Sequence, residues 1–267
     1  QFIFHAAAYK HVPLMEKNPS QAIFTNVLGS KNLADLAVKY KVERFVLIST
    51  DKAVNPSNIM GASKRIAEKY VQSLSIYLDQ MGESSTKFIT TRFGNVLGSN
   101  GSVVPLFTKQ INAGGPITIT HPDIIRYFMT IPEACQLVLE AGAMGKGSEI
   151  FIFDMGEPVR IIDLAHKMIK LAGFIPEEDI KIEVVGLRPG EKLFEELLTD
   201  ASTTLPTHHQ KIMIAKDITE NYISLNEDIL ELINLANENK SDALVIKMKH
   251  IVPEFISLNS KFEKFDN

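Results

Sequence analysis

The chain has 267 residues, enough to bury a full core as one large α/β domain or one domain with a small lobe. Its 45% hydrophobic and 22% charged residues suit a globular protein, and a net charge of −4 argues against general nucleic-acid affinity. Cys135 is the single cysteine, so no disulfide forms within the chain, and no apolar run approaches the roughly 20 residues that span a bilayer. No signal peptide is visible, and a cytoplasmic location is the expectation.

The chain opens as Gln1-Phe2-Ile3-Phe4-His5, an apolar run already under way without an initiator methionine. Chain ends usually lie in exposed segments, so an upstream portion is expected. Phe2–Phe4 reads as a short buried strand, and Pro19 to Lys41 carries helical spacing through Ile23, Val27, Leu33, Leu36 and Ala37. Phe45-Val46-Leu47-Ile48 is a second buried strand, a helix runs from about Gly61 to Leu78, and Phe88-Ile89 with Phe93 marks a third strand. Apolar strands alternating with helices predict a parallel sheet covered on both faces, the second half of a doubly wound α/β fold.

The remainder predicts a helix at Val103–Asn112, a turn at Gly114-Gly115-Pro116 and a strand at Ile117–Thr120. Helices follow at Ile131–Ala143 and Ile161–Gly173, the latter closed by Gly173, with strands at Ile150–Phe153 and Ile180–Val185. Lys192–Leu198 reads as a short helix, and the tail from Leu225 onward as helical. Residues 1–100 are assigned to the sheet domain. Residues 101–216 form mainly a smaller α/β substrate-binding lobe with segments returning to the sheet, and 217–267 a helical tail.

Ser49-Thr50-Asp51-Lys52 follows the Phe45–Ile48 strand directly, and ligands of open parallel sheets bind at such carboxyl ends. A cap and turn explain Ser, Thr and Asp equally well. Met60-Gly61-Ala62-Ser63-Lys64 then puts Met60 and Lys64 on one helix face, with small residues between them that allow a close approach. A lysine held there raises the local positive potential and favours deprotonation of a neighbouring hydroxyl.

The pattern strand–Ser-Thr–loop–xxxx-Lys resembles the short-chain dehydrogenase/reductase superfamily, in its extended, Rossmann-like branch that acts on nucleotide sugars. Four segments carry a closer resemblance: His5-Ala6-Ala7-Ala8-Tyr9-Lys10-His11-Val12-Pro13, Ser49 to Pro56, Arg92-Phe93-Gly94-Asn95-Val96-Leu97-Gly98-Ser99 and Leu187-Arg188-Pro189-Gly190-Glu191-Lys192. They resemble the nucleotide-sugar 4,6-dehydratases of polysaccharide biosynthesis, similar to the UDP-N-acetylglucosamine 4,6-dehydratases of capsule, O-antigen and protein-glycan pathways. The likeness runs from residue 1 to about residue 216. Two departures stand out. The superfamily's usual tyrosine base is replaced by Met60, whose thioether takes no proton, as in the large membrane-anchored subgroup. The Gly-rich turn for the NAD pyrophosphate and its acidic ribose partner are absent, and would lie before residue 1.

The resemblance implies NAD as a cofactor regenerated each turnover, with a hydride leaving C4, water lost across C5 and C6, and hydride returning to C6. Asp51 is then the acid for the C6 hydroxyl and Lys52 the base at C5. Thr50 bonds the C4 oxygen, Ser49 lies beside the cofactor, and Lys64 holds the nicotinamide ribose. Ala6, Ala7 and Ala8 let the cofactor lie against the backbone. Lys10 and Asn95 are substrate contacts, Arg126 and Arg188 diphosphate clamps, and Glu191 an acceptor for a ribose hydroxyl.

The expected partner is a UDP-sugar, without nucleic acid or metal, since the adjacent His208 and His209 have no further ligands beside them. A homo-oligomer is allowed, and membrane contact only through an upstream region. The rival readings are a nucleotide-sugar 4-epimerase, a C5-inverting dehydratase, and a non-catalytic NAD or sugar-nucleotide binder, for which Met60 is the best argument.

Overall fold

Where the sequence alternates apolar strands with helical spacing, the chain folds as that pattern predicts. The computed structural model describes residues 1–83, 85–196, 204–217 and 219–266. β1 (Phe2–His5) leads through a loop to α1 (Val12–Lys17), α2 (Pro19–Ala22), a π-helical stretch at Ile23–Leu28 and α3 (Gly29–Lys39). β2 (Arg44–Ile48) is followed by a 3-10 turn at Asp51–Ala53, the 23-residue α4 (Ile59–Met81) and β3 (Lys87–Arg92). Next come β4 (Asn95–Val96), α5 (Val103–Asn112), β5 (Ile117–Ile119), β6 (Ile125–Arg126), β7 (Phe128–Met129) and α6 (Ile131–Met144). β8 (Ile150–Phe153), β9 (Val159–Arg160), α7 (Ile161–Leu171), β10 (Ile182–Val184), β11 (Thr204–Pro206), β12 (Ile212–Ala215), α8 (Tyr222–Asn237) and α9 (Ser241–Ile251) complete the order.

The main sheet runs β1-β2-β3-β8-β12-β11, with the first four strands parallel and the last two antiparallel. Successive strand side chains point to opposite faces, so β2 feeds two cores. Phe45 and Leu47 pack with Phe88 under α2, α3, α4, α8 and α9. Val46 packs with Ile89, Phe151 and Phe153 under α6. A third, separate core gathers around Phe107, Ile117, Ile161 and Ile169, where β5 pairs in parallel with β10. Helices of the C-terminal segment therefore share the core of the sheet.

Helix ends follow local chemistry. The Asn58 side chain accepts from Gly61 N at the start of α4, and Gly82 closes it at φ 71°. Gly173 closes α7 as expected, with Gly173 N donating to Lys170 O and Phe174 N to Ile169 O.

Three expectations fail. The Phe2–Phe4 strand forms, but β1 lies at the sheet edge and pairs only with β2 among the described residues, so Phe2 and Phe4 are exposed rather than buried. The tail is helical only to Ile251, apart from a 3-10 turn at Glu263–Phe265. No helix forms over residues 192–196, and the rest of the expected Lys192–Leu198 helix lies outside the described residues. The carbonyls of Lys192 and Leu193, which a helix would use, instead accept from the Arg126 guanidinium. Among the described residues no helix is long and apolar enough to cross a membrane.

Candidate active site

The carboxyl ends of β2 and β3 set the centre of the site. Ser49 N donates to Thr91 O and Asp51 N to Phe93 O, which fixes the chain as it leaves β2. Thr50 caps the 3-10 turn, and its Oγ1 donates to Asp51 Oδ1 at 2.8 Å. The same Oδ1 accepts from Lys52 Nζ at 2.9 Å, while Lys52 reaches Asn95 Oδ1 at 3.2 Å. Glu195 Oε1 stands 3.6 Å from Lys52 Nζ. Burial alone would lower the Lys52 pKa, but the carboxylates of Asp51 and Glu195 outweigh it and the net direction is upward. Lys52 is thus held as an ammonium.

α4 begins against this turn. A Cβ at Gly61 would lie 2.1 Å from the Lys52 carbonyl oxygen, so only glycine lets the helix approach so closely. Met60 and, one turn on, Lys64 are both buried on the face toward the cleft. Lys64 makes no hydrogen bond or ion pair to any described residue. Burial, opposed by Glu68, lowers its pKa to about 8. His5 neighbours it, bonded to Ser30 Oγ at 2.9 Å, and burial followed by the Lys64 charge lowers its pKa to about 4. Asn26, in the π-helical stretch, bonds both Tyr9 N and Tyr9 O and also donates to Ser63 Oγ, tying the loop after β1 to α4.

These elements enclose a cleft of about 450 Å³. Ala6, Ala8 and Lys10 form one side of it, and Ser49, Thr50, Lys52, Met60 and Lys64 the floor. Asn95, Arg126, Arg188 and Glu191 line it from the lobe side. Two expected residues are not on its wall: Asp51 is buried behind Lys52, and Ala7 is exposed away from the cleft.

The two expected clamps differ. Arg126 is buried, and it donates to Ile125 O, Leu193 O and Lys192 O, with Glu191 at 3.7 Å and Glu195 at 3.5 Å. Arg188 is exposed, and its side chain has no partner among the described residues. Glu191 accepts from Thr120 Oγ1 and from Arg188 N.

Sequence reasoning missed Glu195, His5 and a buried charge cluster beneath the floor. Glu68 pairs with Arg92 through two hydrogen bonds, Arg65 pairs likewise with Asp217, and Arg92 also reaches Asp217. Burial would raise the Glu68 pKa, but Arg92 and Arg65 outweigh it and lower it. Arg65 and Glu68 stand three apart on a helix, a signal that reads as an exposed ion pair until α8 and α9 are known to cover it. Among the described residues no three His, Cys, Asp or Glu converge as a metal site.

The polysaccharide biosynthesis protein family matches residues 1–217, and the chain belongs to it. It is 54% identical over 240 residues to the capsular polysaccharide biosynthesis protein CapD of Staphylococcus aureus, covering 89% of this chain and 39% of CapD. The chain thus spans well under half of that relative. Among solved structures it is similar to Pen from Bacillus thuringiensis, with a TM-score of 0.72 and 38% identity over 83% of this chain and 67% of Pen. The UDP-glucose 4-epimerase of Thermus thermophilus, solved in complex with NAD, shares the fold at a TM-score of 0.63 and 23% identity, covering 73% of this chain and 68% of that one.

Proposed function

We propose that this member of the polysaccharide biosynthesis protein family is the catalytic part of an NAD-dependent nucleotide-sugar 4,6-dehydratase, with UDP-N-acetylglucosamine as substrate. The observation that carries the reading is the bonded Thr50–Asp51–Lys52 group at the end of β2, facing Lys64 across Met60. A simple 4-epimerase has no use for an acid–base pair at C5 and C6.

The residues present fit the nicotinamide half of NAD. Lys64 is a buried cation without a hydrogen-bond partner among the described residues, and Ala6 and Ala8 leave room for a flat group against the backbone. NAD, when bound, accepts a hydride from C4 and returns one to C6. Thr50 is placed to bond the C4 oxygen. Met60 takes no proton, so the C4 proton leaves through Thr50, water or a ribose hydroxyl toward Lys64. With its pKa near 8, Lys64 exchanges a proton readily around neutral pH.

For the elimination, the resting proton sits on Lys52. Moving it across the 2.9 Å bond to Asp51 creates the amine base and the carboxylic acid that the expected roles require. Lys52 lines the cleft and takes the C5 proton, while the proton on Asp51, which lies behind it, passes to the departing C6 hydroxyl through Thr50 Oγ1, bonded to Asp51 at 2.8 Å and itself on the cleft floor. Arg188 is free to meet a diphosphate, whereas Arg126 serves first to hold the 191–195 segment in place.

The test is the mass of the product formed from UDP-N-acetylglucosamine and NAD by the full-length protein. Loss of one water is expected. A product of unchanged mass would move the assignment to a 4-epimerase, and absence of any turnover to a non-catalytic binder.

A further inference from the structure

The segment after α9 lies beyond the residues that the family match covers, yet it bonds both the chain just before α4 and Gly190, which stands between two cleft-lining residues. Ile256 N donates to Pro56 O and Leu258 N to Ser57 O, each at 3.1 Å, directly before α4 begins. Leu258 O accepts from Gly190 N at 2.6 Å. Gly190 O in turn accepts from Ser57 Oγ at 2.9 Å and Asn58 Nδ2 at 3.0 Å. Two residues further, Ser260 Oγ donates to Glu16 Oε2, and Glu16 Oε1 accepts from Ile59 N, an otherwise orphaned amide in the first turn of α4. Phe255 and Phe262 bury their rings in the main core on either side, so the segment is anchored at both ends.

Gly190 stands between Arg188 and Glu191, both on the cleft wall. It has φ 79°, and a Cβ there would lie 2.5 Å from the Asn58 Cβ. The Arg188–Glu191 loop is thus pressed against the cap of α4 and pinned by the backbone of Leu258. We propose that residues 256–260 are the positioning element for the nucleoside-diphosphate end of the cleft, acting through Leu258 and Gly190. This rests on the nucleotide-sugar reading for its ligand, but not for the contact itself.

Leu258→Pro removes the N–H that bonds Ser57, and Gly190→Ala breaks the same junction from the loop side. Both variants should raise deuterium uptake over residues 186–196 while residues 66–78 of α4 keep their protection. Both should weaken UDP binding, measured by calorimetry, by about tenfold, the scale of one lost hydrogen bond and a displaced loop. If Leu258→Pro does not fold, Gly190→Ala decides. Unchanged uptake over 186–196, or unchanged UDP affinity in a variant with raised uptake, overturns the proposal. If the unaltered protein binds no UDP, the ligand reading fails and the exchange result alone judges the contact.

Discussion

Two lysines face one cleft under opposite electrostatic conditions. Lys52, on the 3-10 turn, is flanked by the carboxylates of Asp51 and Glu195 and keeps its proton more firmly than a free lysine. Lys64, on the first turns of α4, feels one carboxylate among the described residues, Glu68, which is already committed to Arg92 and Arg65. Burial works against the charge at both positions, and the available carboxylates decide the outcome. A lysine that holds its proton and one that readily gives it up thus stand on the same floor.

Lys52→Met should break the contrast most completely. General acid–base groups contribute about 10²–10⁴-fold, so water loss should fall on that scale while NAD binding persists, as read by product mass and by cofactor titration. Glu68→Gln attacks the other side. It strips the carboxylate from buried Arg92 and Arg65, and unfolding in denaturant should report a loss of about 3–5 kcal/mol.

A milder change sharpens the comparison. Glu195→Gln removes one of the two carboxylates that hold the Lys52 proton, so the alkaline limb of turnover should move to lower pH. An unshifted profile would mean that Asp51 alone sets that proton.

The smallest effect is on stability against pH. The Lys64 pKa is lowered in the folded protein, to about 8 from 10.5, so the unfolded chain binds more protons between those values. Stability should therefore rise with pH across that window, and Lys64→Met should remove that part of the slope in pH-dependent unfolding.

Much of the frame was legible because it is periodic. The Phe45–Ile48 run, the spacing of α3 and α4 and the Gly173 cap are local signals, and the chain obeys them. The π-helical stretch at Ile23–Leu28 was not legible, since its apolar spacing matches that of an α-helix. The 192–196 segment misled because its helical pattern is local, while the claim of Arg126 on its carbonyls comes from 66 and 67 residues away. In the site, Met60 and Lys64 could be placed on one face by their spacing. Alternation along an extended chain could also have separated Ala7 from Ala6 and Ala8, which the structure does. Glu195 had no such signal. As half of a Glu-Glu pair it reads as solvated, and only the fold brings it to Lys52.

The contact at Gly61 carries a consequence for how this site can change over generations. With the Lys52 carbonyl filling the space where a side chain would begin, position 61 has no neighbours in sequence space to explore. Substitutions that retune Met60 or Lys64 are free to accumulate around it. In a library randomised over residues 59–64 and selected for function, diversity should survive at the flanks and collapse to one residue at 61. A second residue type recovered there would mean that the turn and the helix can part company without losing the site.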